Sequence, residues 1–264
     1  MTQISNPAGS ARSISILGVN VSRVDYESAV ALIIEAARKR KSFGVTALAV
    51  HGVMEAYRDP VYAEMLSRLD LIAPDGQPVR WAMNLLGARE IKDRVYGPTL
   101  TLKICAVAAQ EQLPIFLFGS TEAVADRLAR NLKAKFPGLI IAGVQADRFR
   151  EATPEEDRQD VEIINQSGAA IVFVGRGCPR QEKWVAEHLG KISAAMIAVG
   201  AAFDIHAGTL SQAPKFMQNY GLEWFFRLLV EPQRLWRRYL ILNPLFIWNF
   251  TRQLLGTHHP RMTT

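Results

Sequence analysis

Apolar and polar positions alternate between two rhythms along most of the chain. Residues 45–50, 69–73, 115–118, 139–142, 170–174 and 195–199 are short apolar runs, rich in β-branched or aromatic residues and mostly bounded by Gly or Pro. Such runs predict buried strands. Between them the apolar spacing becomes helical. Asp25 can cap a helix reaching to about residue 41, with Val30, Ile33, Ile34 and Ala37 on one face. Residues 121–136 and 154–166 predict two more helices, the second with Thr153 as cap and Pro154 in the first helical position. Strands and helices in alternation imply parallel strands joined by right-handed crossovers. The sequence shows neither an internal repeat nor a low-complexity segment.

The rhythm changes after Gly208. Residues 222–229, 232–242 and 244–255 read as helices crowded with aromatic residues and arginine, and no strand pattern follows. The division expected is a loose polar tail at 1–12 without the apolar core of a signal peptide, an α/β body at 13–208, and a helical appendage at 209–264. The stretch 239–250 is apolar for only twelve residues and is interrupted by Asn243, Pro244 and Asn249. A membrane span needs roughly 20 apolar residues. Aromatics interleaved with arginines instead suit helices lying in a headgroup layer, or else aromatics packed onto the body as core.

Composition sharpens this picture in one place. The net charge is +6. From Thr209 onward, Lys215, Arg227, Arg234, Arg237, Arg238, Arg252 and Arg261 face only Glu223 and Glu231, so nearly all the excess lies there. Such an end suits phosphate, anionic lipid or nucleic acid, or is simply a solvated face. The two cysteines, Cys105 and Cys178, show no redox or metal spacing, which fits a reducing cytosol.

Four strings could carry chemistry. Asp75 follows a strand and precedes Gly76, where it can act as a general base or merely cap the next helix, at residues 78–86. Gly175-Arg176-Gly177 joins a strand to a helix that starts near Pro179, a setting whose backbone N–H groups favour phosphate. Gln181 and Glu182 lie in that helix's first turn, within reach of a ligand or of the cap. Gly119, before Ser120 and Thr121, stands at another strand-to-helix turn that either holds a nucleotide or only connects. Asp204, ending Val199-Gly200-Ala201-Ala202-Phe203-Asp204, reads as a buried turn carboxylate. No phosphate-binding Gly-Lys-Ser/Thr loop and no Gly-x-Ser-x-Gly elbow occurs, and the five histidines lack zinc-type spacing. No Asp-x-Asp pair is present to clamp a divalent metal, which leaves arginine to neutralise a leaving diphosphate.

Together these strings resemble the WecG/TagA/CpsF glycosyltransferase family. The matching residues are Pro74-Asp75-Gly76, Arg94-Val95-Tyr96-Gly97, the run from Val174 to Trp184, Val199 to Asp204, and Gly221-Leu222-Glu223-Trp224 continuing to Arg227, Glu231, Pro232 and Arg234. The likeness covers about 14–239. It implies a Rossmann-like α/β fold with a mostly parallel sheet flanked by helices and a helical C-terminal membrane-docking appendage. It implies inverting transfer from a UDP-sugar to a polyprenyl-diphosphate-linked saccharide, with Asp75 as base and no metal or other cofactor. Arg94 and Gln181 would line the substrate pocket, with His51, Gly119, Gly175, Gly177 and Glu182 around them. Arg227, Arg234 and Arg237 would close over the diphosphate. The protein would sit peripherally on the cytoplasmic face of the membrane, with self-association left open.

Two places depart from the family pattern. Ala47-Leu48-Ala49-Val50-His51-Gly52 stands where Thr-x-Asn is usual, so His51 occupies part of that space, and Gln212-Ala213-Pro214 stands where Arg-Ala-Pro is common. A non-catalytic scaffold in polysaccharide assembly is the competing expectation, but it has no need of Asp75, Arg94 and Gln181 together. An RNA-binding role is disfavoured because the tail is amphipathic rather than a basic groove.

Overall fold

The computed structural model describes residues 13–214, 217 and 222–256, apart from the side chain of Arg234. The chain opens with an antiparallel hairpin, β1 (Ser13–Ile16) and β2 (Val19–Ser22). Leu17 and Gly18 form its two-residue turn with φ of 50° and 89°. Such turns match the twist of paired strands and require positive φ.

Six parallel strands follow: β3 (Phe43–Leu48), β4 (Leu71–Pro74), β5 (Ile115–Gly119), β6 (Ile141–Gln145), β7 (Ile171–Gly175) and β8 (Ala195–Ala198). Their order across the sheet is β4-β3-β8-β7-β5-β6. The six expected strands are all present. The one expected at 139–142 begins two residues later, because Leu139 closes a turn onto Phe136 and only then does the chain join β5. The one expected at 45–50 ends at Leu48, and Val50 instead enters a helix. Side chains leave the strands alternately, so Phe116, Phe118, Val172 and Val174 join one buried cluster while Ile115, Leu117, Ile171 and Phe173 join another. Both faces of the sheet are therefore covered, as parallel sheets require.

The crossover helices are α1 (Tyr26–Arg38), α2 (Val50–Arg58), α3 (Pro60–Ser67), α4 (Gln77–Leu85), α5 (Gly97–Gln110), α6 (Glu122–Lys135), α7 (Pro154–Gln166), α8 (Arg180–His188) and α9 (Ala202–Ala207). Asp25 and Thr153 cap α1 and α7 through complete capping boxes, and Thr121 caps α6. Each such cap satisfies backbone donors that a helix start leaves open.

After Gly208, which ends α9 in the left-handed region, the described chain is helical: α10 (Glu223–Val230), α11 (Pro232–Arg237), a π-helical segment (Arg238–Leu242) and α12 (Asn243–Leu254). The expected helix at 232–242 is thus split, and the chain passes without a break into α12, whose first turn holds Pro244. The apolar residues of this region divide between buried and exposed positions. Leu242, Phe246 and Phe250 are buried with Val50, Val53 and Met54 in the body's own core. Trp224, Phe225, Trp236 and Trp248 remain exposed. Helix α12 is also stitched to the hairpin, where the Leu17 N–H donates to Gln253 Oε1 and Gln253 Nε2 donates to the Ser15 carbonyl, both at 2.8 Å. Among the described residues, no helix is long and apolar enough to cross a membrane.

Candidate functional site

Parallel register aligns the carboxyl ends of the central strands: Leu48 pairs with Pro74, Val174 with Ala198, and Gly119 with Gly175. The strand order reverses in this region, and ligands of open α/β sheets bind at such an edge. Two cavities meet there. The first, about 160 Å³, lies between the β4 tip and the C-terminal helices; His51, Arg94, Trp224 and Tyr239 are in its wall. The second, about 300 Å³, lies over β7 and β8, with Ser120, Gly175, Arg176, Gly177, Gln181 and Asp204 in its wall. Asp75, Tyr96, Arg227 and Arg238 line both.

Asp75 therefore stands at the junction. Its N–H donates to the Leu48 carbonyl at 3.0 Å, which fixes the turn after β4. Its Oδ2 accepts weakly from the Gly97 N–H at 3.4 Å. Burial pushes its carboxyl up to about 6; the Arg94 charge opposes this and the Glu223 charge adds to it. A carboxyl in this range is a better proton acceptor than a solvated aspartate.

Arg94 reaches Asp75 from the loop before α5. Its guanidinium lies 4.5 Å from the Tyr96 ring centroid and makes a short charge-assisted bond to Glu223 at the start of α10. Two strings far apart in sequence, Arg94-Val95-Tyr96 and Leu222-Glu223-Trp224, thus become one wall. Burial, and after it Glu223 and Asp75, hold the Tyr96 hydroxyl well above the usual phenol range.

On the other side, Gln181 is buried and donates through Nε2 to Glu182 Oε1 at 2.8 Å, and Thr46 Oγ1 donates to that same oxygen at 3.0 Å. Gln181 Oε1 is left without a partner and faces the second cavity. Gly200 lies beneath it: a Cβ there would stand 2.9 Å from Gln181 Oε1. The close pair Gly119 and Gly175 is tighter still, since a Cβ on Gly119 would meet the Gly175 backbone at 2.7 Å. The strand tips can approach this closely because Gly119 has no Cβ, while a Cβ on Gly175 would instead meet the Phe203 ring at 2.5 Å.

Three expected contacts fall elsewhere. Glu182 points into the core, where it holds Gln181 and Thr46, and burial raises its carboxyl. Gly119 serves strand packing, and its neighbour Ser120 faces the second cavity in its place. Arg237 is exposed, with its guanidinium over the Trp236 ring, and the next residue, Arg238, faces both cavities instead. The side chain of Arg234 lies outside the described residues, as do Gly221, Lys215, Arg261 and the tail at 1–12. His51 faces the first cavity. Burial, reinforced by Arg238, lowers its imidazole to about 4, so the ring is neutral at physiological pH.

Sequence reasoning missed Tyr96, Glu223 and Arg176 as site residues. Tyr96 and Glu223 were visible only as members of family strings. Arg176 was visible as the middle of Gly-x-Gly; it is held by Asp147, with Nε 3.1 Å from Oδ1. Among the described residues no three His, Cys, Asp or Glu side chains gather as metal ligands.

The glycosyl transferase WecG/TagA/CpsF family model matches residues 14–260. Two curated relatives bear the name N-acetylglucosaminyldiphosphoundecaprenol N-acetyl-beta-D-mannosaminyltransferase. The one from Bacillus spizizenii is 32% identical over 187 residues, covering 70% of either chain. The one from Bacillus subtilis is 30% identical over 186 residues, again covering 70% of either chain.

Proposed function

The chain belongs to the glycosyl transferase WecG/TagA/CpsF family, and on that premise we propose that it moves a sugar, with inversion, from a UDP-sugar onto a polyprenyl-diphosphate-linked saccharide in cell-envelope glycan synthesis. The observation that carries this reading is Asp75, a carboxyl raised to about 6 at the one junction of two cavities that share two arginines. The relatives' names describe an acceptor that is itself a sugar on a lipid diphosphate, so the site must hold two phosphorylated substrates at once.

In this reading the glycine-lined second cavity takes the nucleotide, whose phosphates approach the backbone at Gly175 and Gly177. The first cavity takes the acceptor sugar between His51, Trp224 and Tyr239. The acceptor hydroxyl oxygen forms a bond to the anomeric carbon from the face opposite the nucleotide. The bond from that carbon to the diphosphate breaks, its electron pair leaves with UDP, and the hydroxyl proton passes to Asp75. Arg227 and Arg238 stabilise the charge that grows on the departing diphosphate. Arg227 suits this role because its buried Nε has no hydrogen-bond partner among the described residues.

The exposed apolar residues of α10 to α12, including Leu229, Leu240, Ile247 and Trp248, then face lipid and bring the cleft to its acceptor. The test is incubation with a panel of UDP-sugars and a short-chain lipid-diphosphate sugar, with products read by mass. A product heavier by one sugar, with UDP released, is expected. No product from any donor in the panel would remove the reading.

A further inference from the structure

Helix α10 buries one residue, and that residue is a carboxylate. Glu223 is 6% exposed, while Trp224, Phe225, Leu229 and Val230 on the same helix are exposed. Phe226, Arg227 and Leu228 are only half-buried, so apolar burial is a small part of what sets where this helix sits. Its one fully buried side chain, Glu223, is ion-paired to Arg94, and both side chains are largely removed from water. Breaking a buried pair by removing one partner leaves an uncompensated charge, so the pair acts as a unit.

We propose that Glu223 is a positioning residue for transfer: it fixes Arg94 against Tyr96 and cancels its charge, leaving Asp75 able to accept the acceptor's proton. The proposal rests on Asp75 being the base, as set out above. Arg94 is the cation whose charge most favours ionised Asp75. Acting alone it would hold Asp75 ionised to low pH and make it a poor proton acceptor, because basicity falls with pKa. Glu223 offsets that charge from the far side of the guanidinium. The other titratable or charged groups around Asp75 are Tyr26 of α1, His51 of α2, Tyr96 before α5, Arg176 before α8, Asp204 of α9, Arg227 of α10, and Arg238 and Tyr239 of the π-helical segment. Of the acidic groups that act on Asp75, Glu223 is the one paired with Arg94. The first turn of α10 is also a favourable place for a carboxylate, since it faces the positive end of the helix dipole.

The experiment is the pH dependence of kcat/KM on a soluble short-chain acceptor, for wild type, Glu223→Gln, Arg94→Gln, the double variant and Asp75→Asn. Wild type should lose activity on the acid side near pH 6. In Glu223→Gln that limb should move to lower pH by on the order of one unit, because Arg94 then acts unopposed. Arg94→Gln should move it to higher pH, and the double variant should return it toward wild type. Glu223→Asp, which keeps the charge, should leave the limb in place while lowering kcat. A purely structural role would scale the rate at every pH and leave the limb where it was, and that result overturns the proposal. If Glu223→Gln is inactive, the Asp75 carboxyl is titrated directly by carbon-13 NMR, with the same shift expected. If Glu223→Gln does not fold, the double variant, which buries no lone charge, is compared with Arg94→Gln, and identical limbs in those two overturn the proposal. An Asp75→Asn variant that keeps full activity and the wild-type limb would instead overturn the assignment of the base.

Discussion

Helices α8 and α10 both send side chains into the cleft, and they are anchored in opposite ways. Helix α8 buries Trp184, Val185 and Ala186, and its Trp184 ring lies 4.6 Å from Phe118 and 4.1 Å from His188 between centroids. Gln181 on this helix is aimed by buried neighbours that come from strands and helices of the same core. Helix α10 has a slighter foundation: its one fully buried side chain is Glu223, ion-paired to Arg94, while Trp224, Phe225, Leu229 and Val230 are exposed. The lesson is that half of this cleft is set by packing and the other half by charge. The two halves should therefore fail differently.

The largest effect should come from the residue that both halves surround. Asp75→Asn should lower turnover by about 10²–10⁴-fold, the usual cost of a lost general base, in a variant whose circular dichroism matches wild type. Next, the two anchoring modes can be compared directly by urea unfolding. Trp184→Ala should cost about 3–5 kcal/mol, as for a large core aromatic. Trp224→Ala on α10 should stay within about 0.5 kcal/mol, as for a surface change. Equal losses would erase the distinction drawn between the helices.

The raised carboxyl of Asp75 also has a stability consequence. The folded state binds more protons than the unfolded state between pH about 4 and 6, so this group's contribution falls as pH rises through that window and is fully unfavourable above it. Asp75→Asn should accordingly be more stable than wild type at pH 7, by up to about 3 kcal/mol. The advantage should vanish below pH 4, and paired melting curves at the two pH values check it. Arg227→Ala should lower turnover on a soluble acceptor by about 10²-fold, as when a single donor to a developing anion is lost. The smallest effect belongs to the outer face of α12: changing Ile247 and Trp248 to Ser should weaken liposome binding several-fold at constant salt without touching turnover on a soluble acceptor.

How much of this could be read from the sequence follows from how local each determinant is. Helices α1, α6 and α7 were legible because Asp25, Thr121 and Thr153 cap them with side chains a few residues from the first turn. Helices α2 and α5 begin at Ala49 and Tyr96, which make no side-chain cap, so nothing marks their start except Pro98 in α5. Helix α3 was missed although Asp59 and Pro60 announce it. The hairpin was missed although Ile14, Ile16, Val19 and Val21 alternate about Leu17-Gly18. In the cleft, Asp75 and the glycine turns were legible because strand tips carry them. The Arg94–Glu223 bond joins residues 129 apart, and no propensity or period encodes it. Glu223 is legible as a negative charge in a basic tail and as part of a family string, and neither places it in the wall.

The bridge from Gln253 back to Ser15 and Leu17 has a consequence for the order in which the molecule is made. A ribosome delivers the sheet before α12, and domains acquire structure from the amino end as they emerge. The β4 tip with Asp75 can be in place while Glu223, Arg227, Arg238 and Gln253 are still inside the exit tunnel. The first cavity then lacks a wall, and the hairpin lacks the side chain that clasps it. A nascent chain would carry its reactive carboxylate for some time without the residues that make it a site. Competence arrives only when α12, made after the sheet, reaches back to the hairpin.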